Sequence, residues 1–228
     1  MEKGIYFTLA GKDYFLHDSV FQGMVIAFIL SICAIVINSK IKKADYRKKS
    51  TGIINLLEIY VEAFQSLVDQ TMGKGHRKFV SYVCTLMLYL VFANLWGLLG
   101  FTTPTSDYNV TVSLAIMTFV LVQATSIVSN GIGGYLKGFL EPFPLFLPMN
   151  IIGEIANPIS LSFRLFGNIL SGVIIMELVH SALQSISVFL VPASAVLHIY
   201  FDVFSGLLQA FIFTMLTMAF IGQTFPEE

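Results

Sequence analysis

Five long apolar stretches constrain this chain more than any other feature of its sequence. They cover residues 19–39, 79–101, 110–129, 149–185 and 190–222. About 20 helical residues cross the roughly 30 Å hydrocarbon core of a bilayer. A chain that is 56% hydrophobic and 12% charged has too much apolar surface for one soluble globule. The sequence therefore predicts an all-α membrane protein with about five transmembrane helices, of which the last two are long and tilted.

The distribution of basic residues predicts how the chain crosses the membrane. Nine of the thirteen lysines and arginines lie between Lys40 and Lys78, which indicates a cytoplasmic connection. The loop over residues 102–109 has none, so we expect it outside, together with the N-terminus, while the C-terminus is cytoplasmic. We predict one membrane domain over residues 1–228, made of an outer segment (1–18), a first span (19–39), a basic loop with an interfacial helix (40–78), two spans (79–129), a crossover loop (130–148), two long helices (149–222) and a tail (223–228).

Two segments between the spans have their own patterns. Residues 51–72 are apolar except for one polar stripe with steps of three and four residues, which is typical of an amphipathic helix on the membrane surface. Its members are Asn55, Glu58, Glu62, Gln65 and Asp69. Residues 131–148 contain four glycines and three prolines, so we predict an irregular cytoplasmic crossover rather than a continuous helix.

Several classes of function find no support in the composition. The net charge of -1 indicates no nucleic acid partner. Cys33 and Cys84 lie in apolar stretches without other ligands nearby, so we predict no metal site. Neither a catalytic nucleophile nor a nucleotide-binding loop is visible, and we expect no cofactor and no catalytic site within this chain.

Arg164 is the only basic residue after Lys137, and it lies in an apolar helix. A charged side chain at the bilayer centre costs from about 3 to more than 10 kcal/mol, so such residues usually have a function. Asn168 shares its helical face, because a step of four residues returns close to the starting direction. Gly167 and Gly172 nearby permit another surface to approach.

The final span has a polar strip that can face the Arg164 helix. His198, Asp202, Ser205 and Gln209 follow one another at helical spacing. We expect Gln209 to donate or accept a hydrogen bond that orients the guanidinium without neutralising it. A simple polar contact between helices is the alternative role of Gln209.

The remaining polar residues of the last two spans divide by depth. One group falls in the outer half, where it would form an aqueous path for cations: Glu177, His180, Gln184, His198 and Asp202. Helix–helix hydrogen bonds account for the two histidines equally well. On the cytoplasmic side, Glu154 and Asn157 could line a second, shorter path, although Glu154 also suits the end of a helix at the interface. Two paths separated by a fixed positive charge require a mobile carrier.

Three motifs from residue 107 onward resemble one family. They are Pro158-Ile-Ser-Leu-Ser-Phe-Arg-Leu-Phe-Gly-Asn168, Gln209-Ala-Phe-Ile-Phe213 and Asp107-Tyr-Asn-Val-Thr-Val-Ser113. Together they resemble subunit a of the F-type ATP synthase, from about residue 79 to the end. The resemblance implies a stator beside a rotating proteolipid c-ring, with peripheral-stalk b subunits and a soluble ATPase head as further partners, in the bacterial plasma membrane. It also implies that Arg164 is the essential arginine, supported by Asn168 and Gln209.

The chain departs from the family pattern at one position. Some members carry a carboxylate or histidine nine residues after the arginine, where this chain has Val173, and Glu177 lies one turn further on. Asp202 matches a position that is ionisable in relatives. The resemblance implies H⁺ as the default driving ion and Na⁺ as the alternative. A different class of function, a self-contained transporter or channel in which Arg164 binds an anionic substrate, is the competing hypothesis.

Overall fold

The computed structural model describes residues 4–9, 12–42, 52–140, 143–186 and 191–225. Six helices account for most of this part of the chain: α1 (Asp18–Lys42), α2 (Ile53–Thr71), α3 (Val80–Leu95), α4 (Tyr108–Leu140), α5 (Leu147–Ile186) and α6 (Val191–Gly222). In this part of the chain, five helical stretches are long and apolar enough to cross a membrane, and each overlaps one of the five predicted spans. The prediction of an all-α membrane protein is therefore confirmed.

A short β-hairpin precedes α1, which the sequence analysis did not predict. Strand β1 (Gly4–Leu9) pairs antiparallel with β2 (Lys12–His17), in a register that joins Gly4 to His17 and Leu9 to Lys12. The segment is rich in the aromatic and β-branched residues that favour strands. Helix α1 follows directly, with Asp18 in its first turn, where a negative charge is favourable.

The predicted irregular crossover is wrong over much of its length. Helix α4 continues to Leu140 and is interrupted only at Gly131, whose φ of 69° and ψ of 165° are not helical. A short 3₁₀ turn, Pro144–Phe146, then leads into α5, which begins at Leu147. A glycine inside a helix lowers its stability by only about 1 kcal/mol, so the neighbouring glycines can remain helical. The single break at Gly131 is enough to redirect the chain.

Helix α2 is the predicted amphipathic helix, and it packs against α3 and the C-terminal end of α6. Its buried Phe64 and Val68 join an apolar cluster with residues of α3 and of the end of α6. On its polar face, Asp69 binds the guanidinium of Arg77 through both carboxylate oxygens, the closer pair of atoms being 2.9 Å apart. The polar stripe thus turns away from the cluster, as its spacing predicts.

A second apolar cluster holds α5 in a fixed rotation about its axis. Leu161 and Leu165 of α5 are buried against α3, α4 and α6, where Leu90 and Phe213 are inaccessible to solvent. A helix turns about 100° per residue, so Arg164 lies to the side of the face that Leu161 and Leu165 bury, and its side chain is exposed. Helix α5 has 40 residues and a length of about 60 Å, twice the hydrocarbon thickness, and must therefore cross obliquely.

Candidate functional site

A cavity of about 860 Å³ lies between α5, α6 and the segment that follows α3. Four of the predicted site residues line it: Arg164, Asn168, Asp202 and Gln209. Ser205, Gly206 and Gly167 form further parts of its wall. The structure therefore brings together residues of two helices that the sequence placed on facing polar strips.

Asn168 connects the two helices inside this cavity. Its Nδ2 donates to Ser205 Oγ at 3.0 Å and to Gln209 Oε1 at 3.3 Å. Gln209 is only 3% exposed, and its Nε2 has no hydrogen-bond partner among the described residues. The expected bond between Gln209 and Arg164 is not formed, since the buried amide of Gln209 faces Asn168 instead.

The Arg164 side chain is exposed on the outer face of α5. Within the described ranges it has neither a hydrogen bond nor an ion pair. Its surroundings are apolar, with Phe163, Leu208 and Ile212 exposed along the same face. An unneutralised guanidinium on an apolar surface retains its full charge for an acidic group on another molecule.

The end of the cavity away from Arg164 reaches the loop after α3. Gly97 and Thr103 line it there, and a Cβ added at Gly97 would lie 2.7 Å from Thr103 Oγ1 and 3.9 Å from Asp202 Oδ2. Asn94, which is buried, donates to the Gly206 carbonyl at 2.8 Å and accepts from Thr105 Oγ1 at 2.8 Å. This loop brings α3 against the polar strip of α6.

The sequence analysis missed Asn94, Gly97 and Thr103 as parts of the cavity. All three residues are uncharged, and Thr103 lies in the loop after the second span. An asparagine inside an apolar span was the one signal that could have identified this wall in advance.

Glu154 lies apart from the cavity, at the interface of α4 and α5. Gln123 Nε2 donates to Glu154 Oε2 at 2.8 Å, and the Tyr135 hydroxyl donates to Gln123 Oε1 at 2.7 Å. Glu154 and Asn157 also line a small pocket of about 20 Å³, beside Thr118 and Pro158. The two polar residues predicted for a cytoplasmic path are therefore neighbours, and Gln123 and Tyr135 join them unpredicted.

The other predicted residues are not brought into the cavity. Glu177, His180 and Gln184 are exposed along the second half of α5 and do not belong to its wall. His198 lies in α6, but its side chain is outside the described part of the structure. In the described ranges, no group of three or more His, Cys, Asp or Glu side chains could hold a metal ion.

Comparison with known proteins gives a consistent result. The family model described as ATP synthase A chain matches residues 20–222. The chain is 39% identical over 171 residues to "ATP synthase subunit a, sodium ion specific" of Propionigenium modestum, covering 68% of this chain and 57% of that protein. It is 33% identical over 228 residues to ATP synthase subunit a of Limosilactobacillus reuteri, covering 93% of this chain and 94% of the relative. The match extends over most of the helical bundle and both helices of the cavity, and the chain belongs to the ATP synthase A chain family.

Proposed function

We propose that the chain is the stator of a rotary ATP synthase and provides two aqueous half-channels. Through them, cations load onto and leave the carboxylates of a rotating proteolipid ring, with Arg164 between the two paths. The observation that carries this proposal is the exposed guanidinium of Arg164, which has no hydrogen bond or ion pair among the described residues and lies on an apolar face, at the edge of a large cavity. Membership of the ATP synthase A chain family supports it.

The outer half-channel corresponds to the 860 Å³ cavity. It extends from Thr103, in the loop that carries no basic residue, past Asp202 to Arg164. A carboxylate beside the path lowers the electrostatic barrier for an entering cation. Glu177, His180 and Gln184, further along α5, would extend this path toward the outer surface, together with His198 on α6.

The inner half-channel would begin at Glu154 and Asn157. These residues lie ten and seven positions before Arg164 on α5, about 15 and 10 Å along the helix. Glu154 is hydrogen-bonded to Gln123 of α4. Leu161, which belongs to the apolar cluster with Leu165, lies between these residues and Arg164 along α5. A cation could therefore enter from either side without a continuous path through this chain.

Arg164 then acts on the passing ring carboxylate. Its charge favours the ionised carboxylate, which releases the bound cation, and it repels cations that would leak between the half-channels. Each unit charge that crosses 100 mV is worth about 2.3 kcal/mol, so movement forced onto the ring can perform mechanical work. The long, oblique α5 and α6 would lie against the ring.

The transported cation is H⁺ by default in this proposal. One relative is described as sodium ion specific, which makes Na⁺ the alternative. The wider assembly would include peripheral-stalk b subunits and a soluble ATPase head, in a bacterial plasma membrane with the N-terminus outside and the C-terminus in the cytoplasm.

The variant Arg164→Ala tests the proposal. We expect ATP-driven ion uptake into vesicles that contain the assembled complex to fall to background, because the barrier and the release charge are both lost. The soluble head should still hydrolyse ATP. Uptake is measured with and without sodium, so that the ion pumped by the unmodified complex is known.

Lys137→Ala is the matched control, since it removes a positive charge from the same half of the chain but outside the cavity. It should retain uptake. Coupled uptake close to the unmodified rate in Arg164→Ala would refute the proposed role.

A further inference from the structure

Because of the break at Gly131, the C-terminal part of α4 folds back against the middle of the same helix. In an unbroken helix, residues 123 and 135 would lie about 18 Å apart along the axis and on different faces. Here the Tyr135 hydroxyl and Gln123 Oε1 are 2.7 Å apart. The backbone conformation of Gly131, with φ of 69° and ψ of 165°, is essentially restricted to glycine and makes this contact possible.

The hydrogen bonds from Tyr135 to Glu154 run in one direction. An ionised carboxylate only accepts hydrogen bonds, so the Gln123 amide must direct its NH₂ group toward Glu154 Oε2. Its carbonyl oxygen then faces Tyr135, whose hydroxyl donates to it. Tyr135 thus fixes the orientation of the amide, and the amide fixes the position of the Glu154 carboxyl group.

The carboxylate of Glu154 has no cationic neighbour in the described part of the chain. Tyr135, from α4, is the titratable group placed beside it through Gln123. The small pocket next to it is formed by residues of α4, α5 and α6, and apart from Glu154 none of its described lining residues is titratable. A partly buried carboxylate with one donor and no basic partner is suited to attract a cation.

We propose that Gln123 and Tyr135 are positioning residues that hold the carboxyl group of Glu154 at the mouth of the inner half-channel, where it receives or delivers the transported cation. This inference rests on the proposed function. It assigns a part in ion transfer to two uncharged side chains on α4 and to the bend that joins them.

The test uses the assembled complex in vesicles and measures the rate of ATP-driven cation uptake as a function of pH. Gln123→Leu removes the donor to Glu154, and Tyr135→Phe removes only the hydroxyl that orients it. A lost hydrogen bond to a charged group favours the protonated carboxyl. We expect the acid side of the uptake profile to move to higher pH in both variants, and further in Gln123→Leu than in Tyr135→Phe.

Ser113→Ala is the control, because Ser113 is an exposed residue of α4 whose hydroxyl bonds only within its own helix, to the Asn109 carbonyl at 2.7 Å. Its profile should not move. In a Glu154→Gln background, Gln123→Leu should cause no additional shift, since the group on which it acts is gone. If Gln123→Leu reduces assembly, Tyr135→Phe, which keeps the aromatic ring, decides the result.

Unshifted profiles in both single variants, or a shift of equal size in the Glu154→Gln background, would overturn the inference. A merely structural role would change the amount of assembled complex without moving the profile. The proposed function is judged separately: if Arg164→Ala abolishes uptake while the Gln123 and Tyr135 variants keep the normal profile, only the positioning role is refuted.

Discussion

At the scale of single residues, the important property of Arg164 is what it does not contact. The side chain lies one position before the buried Leu165, and its guanidinium has no partner among the described residues. Asn168 and Gln209, which the sequence linked to the arginine, bond to each other and to Ser205. They therefore stabilise the α5–α6 contact beneath Arg164, while the charge stays available on the surface.

Arg164→Lys separates charge from geometry at this position. Lysine keeps a positive charge, but its ammonium is a compact, strongly hydrated point charge without the planar array of donors that can bind both carboxylate oxygens. We expect ATP-driven uptake to fall by about tenfold or more, although the charge is conserved. Uptake by vesicles with equal amounts of assembled complex measures this. A rate close to that of the unmodified complex would mean that charge alone is sufficient.

At the scale of elements, the bend in α4 shows what a glycine-rich sequence leaves undecided. Gly131, Gly133, Gly134 and Gly138 are equally able to leave the helical conformation, but only Gly131 does so among them. The choice depends on tertiary contacts near the bend, such as the bond from Tyr135 to Gln123 across it and the bond from Asn130 Nδ2 to the Thr224 carbonyl after α6 at 3.0 Å. Local propensity cannot identify such contacts.

Gly131→Ala tests the bend directly. A Cβ at Gly131 meets no neighbouring atom, so steric exclusion plays no part, but its backbone conformation costs a non-glycine residue about 1–3 kcal/mol. We expect a lower thermal midpoint for the purified complex and the same displacement of the pH profile as in Tyr135→Phe.

Gly133→Ala provides the comparison, because Gly133 is helical and a Cβ there also meets open space. It should be neutral or stabilising by up to about 1 kcal/mol. Equal thermal midpoints in the two variants would show that the bend does not need glycine.

At the scale of the whole molecule, α5 and α6 have one packed face and one exposed face. One face of this pair packs on α3 and α4, and the other exposes apolar side chains around Arg164, including Phe163, Phe204, Leu208 and Ile212. The large cavity and the small pocket beside Glu154 lie on different parts of α5 and have no described lining residue in common. In the proposed function, a moving carrier outside the chain is the missing component.

The chain alone should therefore transport nothing. Vesicles that contain only this protein should show neither proton nor sodium uptake under an imposed potential, because no continuous path crosses the apolar cluster around Leu161 and Leu165. Vesicles with the assembled complex should take up ions when ATP is added. Saturable transport by the isolated chain would favour the competing hypothesis, a self-contained transporter in which Arg164 binds an anion.

The sequence alone determined those features of the protein that depend only on short stretches of the chain. Apolar runs longer than about 20 residues define the spans, helical spacing defines the stripe of α2, and an arginine in an apolar helix is costly wherever the helix packs. The ionisable residues of the last two spans could be identified from the sequence in the same way. The motifs around Arg164 and Gln209 identified the family.

The tertiary structure decided the relations between distant residues. It paired Gln209 with Asn168 instead of Arg164, placed Asn94 and Thr103 in the wall of the large cavity, and brought Tyr135 back to Gln123. These outcomes depend on the rotation of each helix about its axis and on one backbone bend. Both are selected by packing across several helices at once, and no local pattern contains that information.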